Sequence, residues 1–547
     1  MRRILTAFAA LALALPLLTV TALVGAAPLP EPGAFPFGVG SNDVTPSAAS
    51  LWTQTSARRV IAVWSTDPSF AARVHRRGVD VHPKHDGTVL VRVGGLAPDT
   101  TYHFKFVDPR TGAESRVGTF RTAPSPSRAE RLTFAYSGDQ DGTRNPATGQ
   151  PCFNHFETFA QVLREAPAFY VNLGDTIYAD SACLPSPNGT LAEYRANYRQ
   201  NLSYQALRDL RAATSFFTQW DDHEVRNDWD AQTVDPALRA IGTQAFQEYD
   251  AMRPPSPSLG FYRTFRWGRA AQLFILDERS FRSIEADRMD ADGDGTPDCD
   301  NPVTGQPDLA PTLAQPIRDQ FAAFLPGSGL SQPVPALCTA DLEAAGRTML
   351  GRAQRDRFLR DLANSKATFK IVLTEDPMQQ FFALPYDRWE GYRWERARIL
   401  DFVQQHHIAN VLWLATDVHA YLAHTVDANT DTPGSAGGVE GMFEYTVGPV
   451  ATSTFGQGVD AVLGAGTANL IRAFLLGLNG NTCANLGGTP GVDPGAPFYG
   501  YGLVTVDAAA KTVTVVPKDA SGVPIAANGN PSAGRDPSCF AYQASAS

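Results

Sequence analysis

Histidine and cysteine are scarce in this chain, ten and six among 547 residues. No two cysteines stand as C-x-x-C, which leaves no redox dithiol or zinc-ribbon motif. Basic residues are outnumbered, with 46 Lys and Arg against 56 Asp and Glu and a formal charge of −10. Such a chain is a poor candidate for a general nucleic-acid or anionic-membrane binder. No Gly-x-Ser-x-Gly elbow is present, so no serine nucleophile and no covalent intermediate are expected. No long internal repeat is visible, and after the first thirty residues no apolar run is long enough to span a bilayer. What is present is 43% apolar and only 19% charged residues, enough for a large core, which excludes disorder, collagen and coiled coil. At roughly 100–200 residues per domain, the length suggests two to four domains or one catalytic unit with an accessory module. Carboxylates are in surplus, and carboxylates bind cations.

Met1-Arg2-Arg3 precedes an apolar run from Ile4 to Val24 and the small residues Gly25-Ala26-Ala27. This reads as a secretory signal peptide over residues 1–27, with an uncleaved membrane anchor as the alternative. Arg2-Arg3 matches a twin-arginine export signal only weakly. The mature protein is expected to be soluble and extracytoplasmic, in the periplasm or outside the cell. Cys152, Cys183, Cys299, Cys338, Cys483 and Cys539 fit that compartment as three disulfides. Sequential pairing is the expectation, because each pair would close one loop-rich insertion.

Residues 33–124 alternate strand-like runs with turns: Ser50–Thr53, Val60–Trp64, Thr88–Val93 and Tyr102–Phe106. Short strands at near-regular spacing predict a small β-sandwich. Leu96-Ala97-Pro98-Asp99-Thr100-Thr101-Tyr102 resembles the turn and inward Tyr of fibronectin type III-like domains. A Pro- and Ser-rich linker, Thr122 to Arg128, follows. Over 130–520 apolar strands alternate with helical stretches, which predicts an α/β layered fold. The helical stretches are Phe156–Glu165, Leu191–Ala212 and Ala461–Leu476, and Tyr501–Val506 with Thr512–Val516 predicts a closing hairpin. Residues 521–547 form a C-terminal tail.

The chemistry lies where the strands stop. Five predicted strands run into Ser137-Gly138-Asp139-Gln140-Asp141, Gly174-Asp175-Thr176-Ile177-Tyr178, Trp220-Asp221-Asp222-His223-Glu224, Thr374-Glu375-Asp376-Pro377 and Thr416-Asp417-Val418-His419. Ligands of α/β sheets sit beyond the carboxyl ends of strands, so these loops should converge. One Asp after a strand is ordinarily a turn or helix cap. Five such loops together would repel by several kcal/mol unless cations neutralise them. Oxygen donors point to hard cations such as Ca²⁺, Mn²⁺ or Fe³⁺, and Tyr178 as a phenolate ligand would favour Fe³⁺.

This order of motifs resembles the metal-dependent calcineurin-like phosphoesterases. Leu173–Tyr178, Trp220–Glu224, Phe261–Gly268, Asp387–Tyr392 and Leu414–His419 are more particular and resemble the PhoD branch of alkaline phosphatases and phosphodiesterases. The resemblance implies a layered β-sandwich flanked by helices, preceded by the small all-β fibronectin type III-like domain. It implies that Asp139, Asp175, Tyr178 and His419 hold one metal, with Asp175 bridging to a second held by Asp222, Glu375 and Asp417. Many PhoD members carry a Cys ligand at the first motif, where this chain has Gly138-Asp139-Gln140-Asp141. Asp141 falls where the wider superfamily has His and is expected to substitute for it. Glu375-Asp376 stands where Asn or His is more usual.

Fe³⁺ and Ca²⁺ are thus the expected cofactors, with Mn²⁺ or Zn²⁺ as alternatives. Two cations about 3.5–4 Å apart would lower the pKa of a shared water that attacks phosphorus in line. His223 suits general-acid or electrostatic duty beside Asp175 and Asp222, and Arg226 and Asn227 are candidates for binding phosphate. Asp290, Asp292, Asp294 and Asp298 occupy positions 1, 3, 5 and 9 of a calcium-type loop with Gly295 at 6. This loop resembles extracellular calcium loops of the thrombospondin type 3 kind and predicts a structural Ca²⁺. The expected activity is phosphomonoester or phosphodiester hydrolysis. The alternatives are a phospholipase D-like diesterase and a non-catalytic calcium-dependent binding protein. Expected partners are small phosphate esters or phospholipids, with no specific nucleic-acid binding and the oligomeric state open.

Overall fold

Alternation of side chains along the strands dictates the layering. The computed structural model describes residues 33–463, 468, 483–486, 499–525 and 542–545. The signal segment 1–27 and Cys539 lie outside the described residues, as does the greater part of the expected helix Ala461–Leu476. Among the described residues three sheets form. The nine-stranded sheet runs Tyr542–Ser545, Thr512–Asp519, Gly500–Asp507, Arg131–Ser137, Phe169–Leu173, Ser215–Gln219, Val39–Asn42, Ala48–Gln54 and Thr88–Gly94. The seven-stranded sheet runs Arg263–Trp267, Ala271–Ile275, Phe369–Leu373, Val411–Ala415, Gly438–Thr446, Tyr421–Asp427 and Cys483–Asn485. Each has a parallel centre and antiparallel edges, as α/β crossovers require.

Phe169, Val171 and Leu173 share one buried cluster with Ile371, Leu373, Leu412 and Leu414, so the two large sheets pack face to face. The intervening Tyr170 joins a cluster with helices Glu157–Arg164 and Gln205–Ala213. Val372 and Trp413 join another with helices Gly351–Asn364 and Arg393–Gln405. Period-2 alternation thus sends one set of side chains between the sheets and the other under a helix layer. This is the predicted helix-flanked β-sandwich. The segment Leu191–Ala212, expected as one helix, is two: Leu191–Asn201 and Gln205–Ala213. The break has a polar cause, since the Asn201 amide donates to Gln140 O and Thr176 O and the Ser203 hydroxyl to Gln200 O.

Residues 33–124 are all-β. A four-stranded sheet of His75–Asp80, Arg59–Ser65, Thr101–Val107 and Gly118–Arg121 faces three strands that extend the nine-stranded sheet, with Val39–Asn42 parallel to Ser215–Gln219. Sheet and core run without interruption across residue 124, as Phe104 and Phe120 belong to the same cluster as Phe134 and Phe169. Disulfides Cys152–Cys183 and Cys299–Cys338 form as sequential pairing predicts. Cys483 is also disulfide-bonded, and its expected partner Cys539 lies outside the described residues. No helix among the described residues is long and apolar enough to cross a membrane.

Candidate metal centre

Both large sheets deliver carboxylates from the carboxyl ends of parallel strands. Strands Arg131–Ser137, Phe169–Leu173 and Ser215–Gln219 are neighbours in one sheet, and Phe369–Leu373 and Val411–Ala415 in the other. Their following residues turn sharply: Asp139, Asp175, Asp417 and His419 have φ of 58°, 51°, 59° and 52°. Four of the non-glycine residues with left-handed backbone thus stand at this site, where the surrounding fold must hold them. Gly174 makes the closest approach. With φ of +85°, a Cβ there would lie 2.5 Å from Asp221 Cβ and 3.2 Å from Glu375 Cγ. Gly174→Ala is therefore expected to lower stability by about 1–3 kcal/mol and to reduce activity with it, read as a lower thermal midpoint and turnover in parallel.

Four groups of ligand atoms form at these strand ends among the described residues, and two of them share Asp175. Asp139, Asp175 and His419 have ligand atoms within 4.8 Å of one another, as do Asp175, Asp222 and His223. Tyr178 joins the first group, its hydroxyl 3.1 Å from His419 Nε2 and its ring stacked on His223 at 4.0 Å. His419 Nε2 lies 3.8 Å from Asp139 Oδ1, and the Asp417 amide donates to that oxygen at 3.3 Å. His223 Nε2 faces Asp175 and Asp222 at 4.0 and 3.9 Å. Its Nδ1 is 2.5 Å from Asp180 Oδ1, and Asp180 Oδ2 accepts from the Asn227 amide at 2.8 Å.

Some expected residues stand elsewhere. Asp141 accepts from the Ser181 hydroxyl at 2.5 Å and the Thr143 amide at 2.9 Å and belongs to none of these groups. Glu375 points beneath Gly174 towards Asp221 and Glu278, and the adjacent Asp376 instead joins Asp387 and Asp417 in a third group. Asp222 also groups with Asp228 and Asp387. Arg226 Nη2 donates to Asn188 O at 2.6 Å, while its Nη1 is buried without a partner. Asn227 is exposed. On the insertion, Asp290, Asp292 and Asp294 come together on the surface; Asp298 turns away to accept from the Ala291 amide at 2.6 Å.

The strand Ala271–Ile275, legible in the sequence as the apolar run Gln272–Leu276, leads into Asp277-Glu278-Arg279 by the same strand-end rule, and these charged residues are the ones not singled out from the sequence. Arg279 is fully buried and donates to Asp221 at 2.6 Å and, as a fork, to Asp387 at 2.7 and 3.1 Å. Arg282, also fully buried, donates to Asp376 and Asp387. Two guanidiniums cannot balance this many acids. Asp139 Oδ2, Asp222 Oδ1, Asp376 Oδ1 and both Glu375 oxygens are buried with no hydrogen-bond partner. Burial pushes the carboxyls of Asp139, Asp175 and Asp417 well above the usual range, with neighbouring carboxylates adding to it. Burial and then Asp175 and Asp139 do the same to the Tyr178 hydroxyl. His419 is pulled down to about 4 by burial and the facing His223, so it stays neutral and able to ligate. Orphaned carboxylate oxygens, a neutral imidazole and a phenol are the donor set of hard cations, so residues and group fit. A bound cation would invert these shifts.

The PhoD-like phosphatase family model matches residues 146–474, and the model for the N-terminal domain of PhoD-like phosphatases matches residues 22–124. The chain belongs to the PhoD-like phosphatase family. It is therefore a phosphoric ester hydrolase of a metal-dependent class. It is 25% identical over 473 residues to alkaline phosphatase D of Bacillus subtilis (strain 168), covering 76% of this chain and 71% of that protein. A solved structure of PhoD superimposes with a TM-score of 0.65 at 20% identity, covering 91% of this chain and 93% of that one. The purple acid phosphatase PPD1 of yellow lupin (Lupinus luteus) gives 0.52 at 12% identity, covering 89% and 72%. These superpositions establish the metallophosphoesterase-like fold.

Proposed function

We propose that this chain is an exported phosphatase that hydrolyses small phosphomonoesters or phosphodiesters at a centre of two or more cations. The observation that carries the reading is that Asp175 belongs to both the Asp139/His419 and the Asp222/His223 groups, the position from which one carboxylate serves two ions. Asp139, Asp175, Tyr178 and His419 would hold the first ion, Fe³⁺ by the character of its donors. Asp222, with Asp417, Asp387 and Asp376 in place of the expected Glu375, would hold Ca²⁺, and Mn²⁺ or Zn²⁺ are the competing occupants. Bound cations would supply charge neutralisation of the phosphate and activation of water for in-line attack.

The chain's own residues set the rest. Burial opposes charge on His223 and Asp180 favours it; the favourable share from Asp222 and Asp175 would go once cations occupy them, so Asp180 is the group that would keep the ring protonated. Asp180 fixes the ring through Nδ1, which leaves the Nε2 proton facing the site, to be given to the departing alkoxide. Arg226 Nη1, close to Asp180 and without a partner, is the donor available to a phosphate oxygen. The Asp290, Asp292 and Asp294 loop is assigned to structural calcium. The disulfides accord with export into an oxidising compartment.

The test is hydrolysis of matched aryl phosphate mono- and diesters by purified protein, before and after chelation, with Ca²⁺ and iron restored separately. Chelation is expected to remove turnover by at least ~10²-fold, and restoration of both ions to recover it. The mono- to diester ratio then assigns the ester class and separates a phosphatase from a phospholipase D-like diesterase. Turnover that survives exhaustive chelation, or absence of turnover after full reconstitution, contradicts the proposal.

A further inference from the structure

A cavity of about 340 Å³ that shares no lining residue with the metal centre opens between the N-terminal strands and the segment 252–265. Its walls carry three arginines, Arg92, Arg253 and Arg263, and a single carboxylate, Asp43. Arg263 takes that carboxylate for itself, with Nε at 3.3 and 3.2 Å from the two oxygens. Its remaining nitrogens donate to Phe261 O and Thr218 O. Arg92 reaches only Asp43 O at 3.0 Å and, weakly, Ser50 Oγ at 3.4 Å. Arg253 is exposed and makes no hydrogen bond or ion pair with the described residues. One carboxylate, Asp43, thus serves both Arg263 and Arg92, and Arg253 stands at the same cavity with no acid of its own among the described residues. Burial and the charge of Arg253 press the Arg92 pKa downward and Asp43 offsets them only in part, a balance that an anion between the two guanidiniums would complete. Pro254 and Phe265 add apolar wall beside the charges.

We propose that this cavity binds a phosphate-class anion, free or carried on a small organic body, between Arg92 and Arg253. Guanidinium forks match phosphate oxygens in pairs, and half-buried walls strengthen each contact. The site is tied to the catalytic loops. Arg263 caps the strand Ser215–Gln219 at Thr218 O, and Phe261 N and Trp220 Nε1 both donate to Asp277, at 2.7 and 3.0 Å. An occupant would thus lie beside Arg263, whose guanidinium bonds the strand that leads into Asp221 and Asp222.

Inorganic phosphate and phenylphosphonate are titrated calorimetrically into the full chain, at low and high salt. The proteins compared are wild type, Asp175→Asn, Arg253→Ala and Arg92→Ala/Arg253→Ala. In Asp175→Asn, whose metal centre is disrupted, one salt-sensitive anion site per chain is expected to remain. Arg253→Ala weakens that site about tenfold, and the double variant abolishes it. Turnover of an aryl phosphate by Arg253→Ala equals wild type, because Arg253 touches no group of the metal centre. Tighter binding of the phosphonate identifies an organic phosphate as the ligand, and equal binding identifies free phosphate. Loss of all anion binding in Asp175→Asn, or an isotherm unchanged in Arg253→Ala and the double variant, overturns the proposal. Arg253 has no partner to lose, so its variant keeps the fold and the result stays interpretable. A failure here leaves metal-dependent turnover untouched, so the two readings fail separately.

Discussion

Asp175→Asn is expected to lower phosphate-ester turnover by about 10³-fold or more, the several kcal/mol a shared ion ligand supplies at about 1.4 kcal/mol per tenfold. The change is nearly isosteric. Asn also tolerates the left-handed backbone that Asp175 adopts at φ of 51°, so the turn survives. What goes is one negative charge at the position shared by the Asp139/His419 and Asp222/His223 groups, together with an oxygen lone pair replaced by an amide NH₂. The fold itself should not weaken. Asp175 is buried among Asp221, Asp222 and Glu224, whose charges add to burial in raising its pKa, so removing its charge relieves repulsion in the metal-free protein. The expected signature is a collapsed kcat and a loss of at least one ion per chain by elemental analysis. The thermal midpoint after chelation should be equal to or above wild type. Wild-type turnover by Asp175→Asn would sink the shared-ligand assignment.

Arg279→Met is expected to cost about 3–5 kcal/mol of stability, the range for breaking a buried ion pair from one side. No part of the Arg279 side chain reaches solvent, and the guanidinium contacts Asp221 and Asp387 directly, with Asp222 and Asp376 at 3.8 and 3.9 Å. Methionine fills much of the volume and answers none of the charge. Arg279→Lys restores the charge but not the fork to Asp387, so it should recover only part of the loss. The pH dependence has a definite sign. Burial works against ionised Asp387, but Arg279 and Arg282 outweigh it and hold the carboxyl well below the usual range. Stability from this pair is therefore complete at neutral pH and is lost as pH falls below the ordinary carboxylate range towards the depressed value. In Arg279→Met that acid limb should shrink. A thermal midpoint within one degree or so of wild type between pH 5 and 8 would rule out this role for Arg279.

Much of the site was legible because it obeys a local rule. Asp139, Asp175, Asp222, Asp417 and His419 each follow a recognisable apolar strand within five residues, and parallel strands all end on the same edge. The same rule applied to Ala271–Ile275 leads to Arg279, so that omission was one of application and not of signal. Asp387 is a different case. It follows Pro385-Tyr386 in irregular chain, 108 positions from the guanidinium it pairs with, and no local periodicity marks it.

Composition and periodicity by themselves determined the layered α/β class, the surplus of carboxylates over cations and the strand ends at which they collect. These follow from burial at period 2 and from the charge count alone. Only the tertiary structure decided which of two adjacent acids, Glu375 or Asp376, joins Asp387 and Asp417, because successive residues at a strand end point to opposite sides and the turn selects between them. It likewise decided that Val39–Asn42 hydrogen-bonds to Ser215–Gln219, joining the N-terminal strands to the catalytic sheet. A strand's pattern says which face is apolar, whereas its edge, where the backbone hydrogen bonds point, carries no side-chain signature and takes its partner from the packed fold.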